Sequence, residues 1–362
     1  MRRPSSFRTL ALDTFAGRAP VERLAERWTH LPVSPTAFRR LLAVEECAAD
    51  LLVRLREADL MSVLPSEHAD LLESRAVRQT SRMLALRSDL REVLGALRAR
   101  DIVVTVLKGA AFECAGLRPL RVCNDLDLMV APSDVPVALA ALESLGYRMA
   151  PGERLPPDFH HLPPLHRDQS VPVELHTRLL FRGQATMHAP PRPSECGPGL
   201  LALAPTEWAW HLLAHDSHHH ETAGNVRSAL DLAALDVRYP SEIDWREIAR
   251  RCRSWPDPVG PLLSSFRRVR GRRVVRVSVT MRIANAALSA MREYAARVAR
   301  NDEDFVFAVH KLAGALIASP TAWVERRQLR KGDDGQALPS IPRDATRLAR
   351  ILLTRRRAER AS

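Results

Sequence analysis

Asp125 and Asp127 stand two residues apart in Asn124-Asp125-Leu126-Asp127-Leu128-Met129-Val130, and Glu174 and His176 two apart in Val173-Glu174-Leu175-His176. In an extended strand, residues two apart point to one face and lie roughly 7 Å apart along the backbone. Asp125 and Asp127 are therefore expected to share a face, with Leu126, Leu128 and Val130 turned into packing. Glu174 and His176 likewise share a face, opposite Val173 and Leu175. If the two strands are neighbours, three carboxylates converge, and like charges that close repel unless a cation neutralises them. Mg²⁺, or Mn²⁺, suits such a site, being hard, oxygen-seeking and readily shared with substrate phosphates. Asp-x-Asp alone is common at strand ends and solvated turns. What adds to it is Lys108-Gly109-Ala110, placed directly after the β-branched run 102–107. A glycine followed by a small residue there lets phosphates approach backbone N–H groups. The chain has neither a multi-glycine phosphate loop nor a Gly-x-Gly-x-x-Gly dinucleotide signature.

These residues need elements to hold them. Residues 1–33 carry scattered prolines and suit short helices wrapping the body. From 36 to 100 the chain reads as helices, with one apolar stripe through Leu41, Leu42, Val44, Cys47, Leu51, Leu52 and Leu55. A second runs through Leu84, Leu86, Leu90, Val93, Leu94 and Leu97 and leads into a buried strand over 102–107. A small helix over 110–115, a strand over 125–130 and a helix over 135–145 closed by Gly146 follow. Residues 147–149 suit an edge strand, the Pro- and His-rich segment 151–169 a surface loop overhanging the site, and 171–176 a further strand. Beyond Thr206 the pattern is helical over 208–215, 226–235 and from Trp245. A strand is expected over 274–282, helices over 283–298 and 304–317, and a loop over 331–343.

With 362 residues the chain can bury a sizeable core and divide into two domains. The formal charge of +12 permits attraction to nucleic acid or phosphorylated substrates without demanding it, since a preference for Arg and Ala codons gives the same picture. Cys47, Cys114, Cys123, Cys196 and Cys252 are odd in number and widely spaced, which suggests neither a disulfide framework nor a cysteine zinc site. There is no signal-peptide stretch and no apolar run of membrane-spanning length, so a cytoplasmic location without membrane insertion is expected.

The order helix, strand, Lys-Gly, small helix, Asp-x-Asp strand, helix, acid-bearing strand resembles the nucleotidyltransferase superfamily with the polymerase-β-like core. The chain is most similar to a poorly characterised bacterial branch of it. That branch pairs a Leu-Lys-Gly element with Arg-Pro-x-x-Asp-x-Asp-Leu, a Glu-Leu-His strand and a helical C-terminal domain. Here these read Leu107-Lys108-Gly109, Arg121-Val122-Cys123-Asn124-Asp125-Leu126-Asp127-Leu128 and Glu174-Leu175-His176. Val122 replaces the branch's proline, and Asn124 stands where Ser or Gly is frequent; neither removes a carboxylate.

The resemblance implies an α+β fold, a small mixed β-sheet nucleotidyltransferase core over 101–185 packed with the 83–99 helix. A helical region over 1–100 and a mainly helical domain over 200–330 flank it, and 331–362 forms a loop and basic tail. It implies transfer of a nucleoside monophosphate from a nucleoside triphosphate such as ATP to an acceptor, with loss of pyrophosphate. Asp125, Asp127 and Glu174 would be catalytic and hold the metal. Lys108, Gly109, Ala110, Arg121, His176 and Arg227 would contact nucleotide, phosphates or acceptor. The acceptor, a small molecule, a peptide or protein, or RNA, is left open. A non-catalytic nucleotide- or RNA-binding protein that retains the fold is the alternative.

Two further regions stand out. His211, His215 and His219 fall at i, i+4, i+8 and can share a helical face, although no His-Glu-x-x-His or nearby cysteine completes a zinc site. In the similar branch such histidines precede an Arg and an Asp, matched here by Arg227 and Asp231. That pair either lines a cleft, with Arg227 reaching nucleotide or acceptor, or belongs to a buried network in which Asp231 fixes an arginine or histidine. Positive charge is densest at 267–273 and in the tail, but without interleaved aromatics or a clear DNA-binding motif.

Overall fold

The computed structural model describes residues 7–150, 160–179, 187–218, 224–254 and 259–271. The elements expected over 274–282, 283–298, 304–317 and 331–343, the basic tail, residues 151–159, and His219 and His220 lie outside the described residues.

The chain opens with α1 (Phe7–Ala16), α2 (Val21–Thr29), α3 (Pro35–Glu45), α4 (Ala48–Glu57) and the long α5 (Ser66–Arg98). Helix α3 starts where it does because Ser34 Oγ accepts the Ala37 N–H at 3.3 Å and Pro35 occupies the first turn. Helix α5 buries Met83, Leu86, Leu90, Val93, Leu94 and Leu97, a three-and-four spacing that makes one stripe. Leu84, expected on that stripe, is exposed, and Met83 takes its place in the repeat.

A seven-stranded mixed sheet follows, in the order β3-β4-β5-β2-β1-β7-β6. Its members are β1 (Val104–Val106), β2 (Leu126–Met129), β3 (Arg148–Met149), β4 (Leu165–His166), β5 (Val173–His176), β6 (Arg192–Pro193) and β7 (Leu200–Ala202). The central strand β2 runs antiparallel to β1 and parallel to β5. The expected edge strand at 147–149 is β3. Two features went unforeseen: part of the Pro- and His-rich segment pairs as β4, and residues 192–202 add β6 and β7 beside β1. Strands this short carry little periodicity, and their pairing is decided by the neighbours they meet. Helices α6 (Lys108–Cys114) and α7 (Val135–Ser144) connect the strands.

Helices α8 (Pro205–His218), α9 (Val226–Arg238), α10 (Trp245–Ser254) and α11 (Gly260–Arg270) complete the described fold. Asn225 Oδ1 caps α9 by accepting the Ser228 N–H at 2.8 Å. The basic run ending α11 is partly satisfied within the fold, Arg268 pairing with Asp13 of α1 at 2.6 Å and Arg270 with Asp236 of α9 at 2.8 Å. Such pairing leaves less of that charge for a nucleic acid. Among the described residues no helix is long and apolar enough to cross a membrane.

The cysteine expectation needs correction. Cys114, at the end of α6, is joined in a disulfide to Cys196 in the β6–β7 connection, with a Cα–Cα distance of 4.8 Å. The partners are 82 residues apart, so no local spacing marks them. The pairing of β1 with β7 brings them together.

Candidate active site

The site is built on β2, β5 and the turn from β1 into α6. Strands β2 and β5 pair in parallel with Asp127 opposite Glu174 and Met129 opposite His176, so Asp127, Glu174 and His176 share one face of the sheet. Leu126, Leu128, Val173 and Leu175 are fully buried on the other face, as the alternation predicts. Asp125 lies just outside β2, at its entry. Strand β1 ends with the Leu107 N–H bonded to the Asp127 carbonyl at 3.0 Å, which places the next residue, Lys108, against the carboxylate.

Asp127 is the hub. Lys108 Nζ donates to its Oδ1 at 2.5 Å, and His176 Nε2 lies 2.9 Å from the same oxygen. His176 Nε2 is also 3.7 Å from Glu174 Oε2, and His161 Nε2 is 4.0 Å from that oxygen. One ligand atom each from Asp127, Glu174 and His176 falls within 4.8 Å of the others. Asp127 Oδ2 is buried and has no hydrogen-bond partner among the described residues. A lone pair left bare in the interior costs about 1–3 kcal/mol. Two carboxylates, one of them with a bare oxygen, and an imidazole fit a divalent cation.

The electrostatics agree with this geometry. Burial pushes Asp127 up, but Lys108 and His176 outweigh it and hold the carboxyl well below the usual range. Asp125 goes the other way: burial, then the negative Asp127 beside it, push its carboxyl up to about 7. Burial disfavours the charged forms of Lys108 and His176, yet the surrounding carboxylates raise both. Lys108 also adopts a positive φ of 41°, unusual for a non-glycine residue and often found where a site fixes a side chain.

Gly109 and Ala110 lie in the first turn of α6, whose first main-chain bond is the Ala111 N–H to the Leu107 carbonyl. The need for glycine at 109 has a packing cause that the sequence did not suggest. A Cβ there would stand 1.8 Å from Cys123 Sγ and 2.5 Å from Arg121 Nη1. Gly109→Ala is therefore expected to destabilise the fold by about 1–3 kcal/mol, the usual cost of overpacking. Urea denaturation checks this; an unchanged midpoint would show that Cys123 and Arg121 yield freely, and Cys123→Ala should restore part of the loss.

Arg121, expected as a phosphate clamp, and Arg227, expected to reach nucleotide or acceptor, are engaged elsewhere. Arg121 Nε donates to Asp231 Oδ2 at 2.9 Å, while Arg118 pairs with the other Asp231 oxygen and with Asp50 Oδ2 at 2.7 Å. This buried network ties the 115–124 connection to α4 and α9, and so positions Asp125. It realises the network alternative for Asp231. Arg118 was missed, as nothing in its sequence surroundings marks it. Arg227 pairs with Glu46 Oε2 at 2.6 Å, and Glu46 Oε1 accepts the Asn124 Nδ2–H at 3.1 Å beside Asp125.

Of the histidine segment, His211 is 1% exposed, and neither ring nitrogen has a hydrogen-bond partner among the described residues. Burial, helped by the charges of Lys108 and His176, pushes its pKa down to about 3, so the ring is a neutral imidazole near the site. From the 151–169 segment, His160 and His161 pack on His176 with ring centroids 5.3 Å and 5.1 Å away. The clustering of His and Pro there was the only advance signal.

A family model described as an uncharacterised nucleotidyltransferase matches residues 32–256. No curated protein and no solved structure matches the chain.

Proposed function

Given that the chain belongs to this nucleotidyltransferase family, we propose that it moves a nucleoside monophosphate from a nucleoside triphosphate to an acceptor hydroxyl or phosphate. The observation that carries this is the buried Asp127 in register with Glu174, its Oδ2 bare and the ligand atoms of Asp127, Glu174 and His176 within 4.8 Å. The acceptor oxygen attacks the α-phosphorus, the bond from that phosphorus to the α–β bridging oxygen breaks, and pyrophosphate leaves. A divalent cation of the Mg²⁺ or Mn²⁺ type, held by Asp125, Asp127 and Glu174, supplies charge neutralisation and Lewis acidity when bound.

The chain's own residues have distinct tasks. Glu174 keeps 18% side-chain exposure, against 1% for Asp127, and accepts the acceptor's proton. Asp127 is held ionised by Lys108 and His176 and takes no part in proton transfer. Lys108 offers the nearest ammonium to the departing pyrophosphate, and the N–H groups of Gly109 and Ala110 offer donors to the same oxygens. Arg121 and Arg227, engaged by Asp231 and Glu46, act by positioning Asp125 and Asn124.

The alternative, a nucleotide- or RNA-binding protein without turnover, draws on the Lys108–Asp127 pair, which satisfies one carboxylate oxygen without a metal. Each α-labelled nucleoside triphosphate, incubated with the full chain, Mg²⁺ or Mn²⁺ and a cell extract, separates the two. Label transfer and pyrophosphate release that EDTA abolishes are expected. Nucleotide binding with no release from any triphosphate would leave the binding reading.

A further inference from the structure

The donor set around Asp127 is not the all-oxygen set that Mg²⁺ prefers. We propose that Asp127, Glu174 and His176 form a mixed carboxylate–imidazole site for a first-row transition-metal ion, with Mg²⁺ the weaker binder. The inference rests on the metal-dependent reading above and assigns His176 a metal ligand's role in place of contact with nucleotide, phosphates or acceptor.

Three observations carry it. His176 lies on the same face as Asp127 and Glu174, because β5 pairs in parallel with β2 and Glu174 and His176 are two apart. Its Nε2 points between the two carboxylates, 2.9 Å from Asp127 Oδ1 and 3.7 Å from Glu174 Oε2, so an ion bridging these oxygens meets the nitrogen too. The surroundings also hold a bare lone pair on Asp127 Oδ2, and the buried ring of His211, neither nitrogen of which has a hydrogen-bond partner among the described residues. Imidazole is a ligand of the first-row transition ions, among which Mn²⁺ binds most weakly, whereas Mg²⁺ demands oxygen and keeps much of its water.

Pulsed electron paramagnetic resonance of Mn²⁺ added to the metal-stripped full chain, without nucleotide, reads the nitrogen directly. A nitrogen coupling that changes when histidine is ¹⁵N-labelled, and vanishes in His176→Asn, is expected. Calorimetric titration should give Mn²⁺ an affinity more than about tenfold above that of Mg²⁺. His176→Asp, which makes the set all oxygen, should bring the two affinities together, and circular dichroism confirms that each variant is folded. Should both variants unfold, the labelled wild type decides alone. Absence of a directly bound nitrogen, or equal affinities for Mn²⁺ and Mg²⁺ in the wild type, overturns the proposal. A nitrogen-bound Mn²⁺ with no pyrophosphate release from any triphosphate would leave this site standing and remove the transferase reading. Pyrophosphate release with an all-oxygen ion would do the reverse.

Discussion

Asp127→Asn is expected to lower metal-dependent pyrophosphate release by more than about two orders of magnitude, since losing even a residue that supports a metal ligand costs 10–100-fold. Asparagine keeps the shape and one acceptor oxygen but removes the charge around which Lys108, His176 and Glu174 are arranged. The substitution leaves Lys108 with Asp125 and Glu174 as its remaining negative neighbours. Asp125 then loses one of the two carboxylate neighbours that, after burial, raise its pKa. The fold should therefore survive, and thermal unfolding read beside the kinetics checks that. Full activity in a folded Asp127→Asn protein would remove the carboxylate site from the mechanism.

The largest loss of stability is expected at a residue that touches no substrate. Asp231 is the carboxylate shared by Arg118 and Arg121, all three fully or almost fully buried. Arg118 retains Asp50 if Asp231 is replaced, but Arg121 is left, among the described residues, with the Val122 carbonyl, Cys123 Sγ and the face of the Phe112 ring, and with no carboxylate. Removing one partner of a buried pair and stranding the other costs about 3–5 kcal/mol, and Asp231→Asn should cost that much at pH 7 in urea denaturation. The pH dependence has a definite sign. Burial raises the Asp231 carboxyl, but Arg121, Arg118 and Arg227 together bring it below its ordinary value. The network's contribution is thus fully present above the unfolded carboxylate's pKa of about 3.9 and is lost as pH falls through the depressed folded value. Wild type and variant should converge only at acid pH. A difference at pH 7 below about 1 kcal/mol, the scale of an exposed pair, would mean that the network is solvated.

If both results hold, binding and bracing are divided between adjacent elements. The β2–β5 pair carries the polar groups that act, while the 115–124 connection and α9 carry charges that hold Asp125 at the strand's entry. The disulfide between Cys114 and Cys196 adds a second tether on the far end of α6, the helix that begins at Lys108. In a reducing compartment these cysteines stand as thiols, and α6 depends on packing and on the Arg87–Glu113 ion pair to α5.

The sequence by itself determined the local half of this protein. Alternation fixed which sides of β2 and β5 are apolar, and the spacing of two put Asp127 beneath a shared face and His176 beside Glu174. Helix periodicity found α5, α7, α8 and α9 because one face of each must meet a core. The tertiary structure decided everything that depends on register and distant pairing. Whether β2 and β5 are neighbours, and in parallel with Asp127 opposite Glu174, cannot follow from either strand alone, and that register is what makes His176 part of the cluster. The same holds for Arg121 and Arg227. In sequence Arg121 reads as a phosphate clamp and Arg227 as reaching nucleotide or acceptor, and a carboxylate 110 residues away in one case, and Glu46 in the other, engaged them first. Buried charge must find a partner wherever the fold supplies one, and the chain's order does not say where that will be.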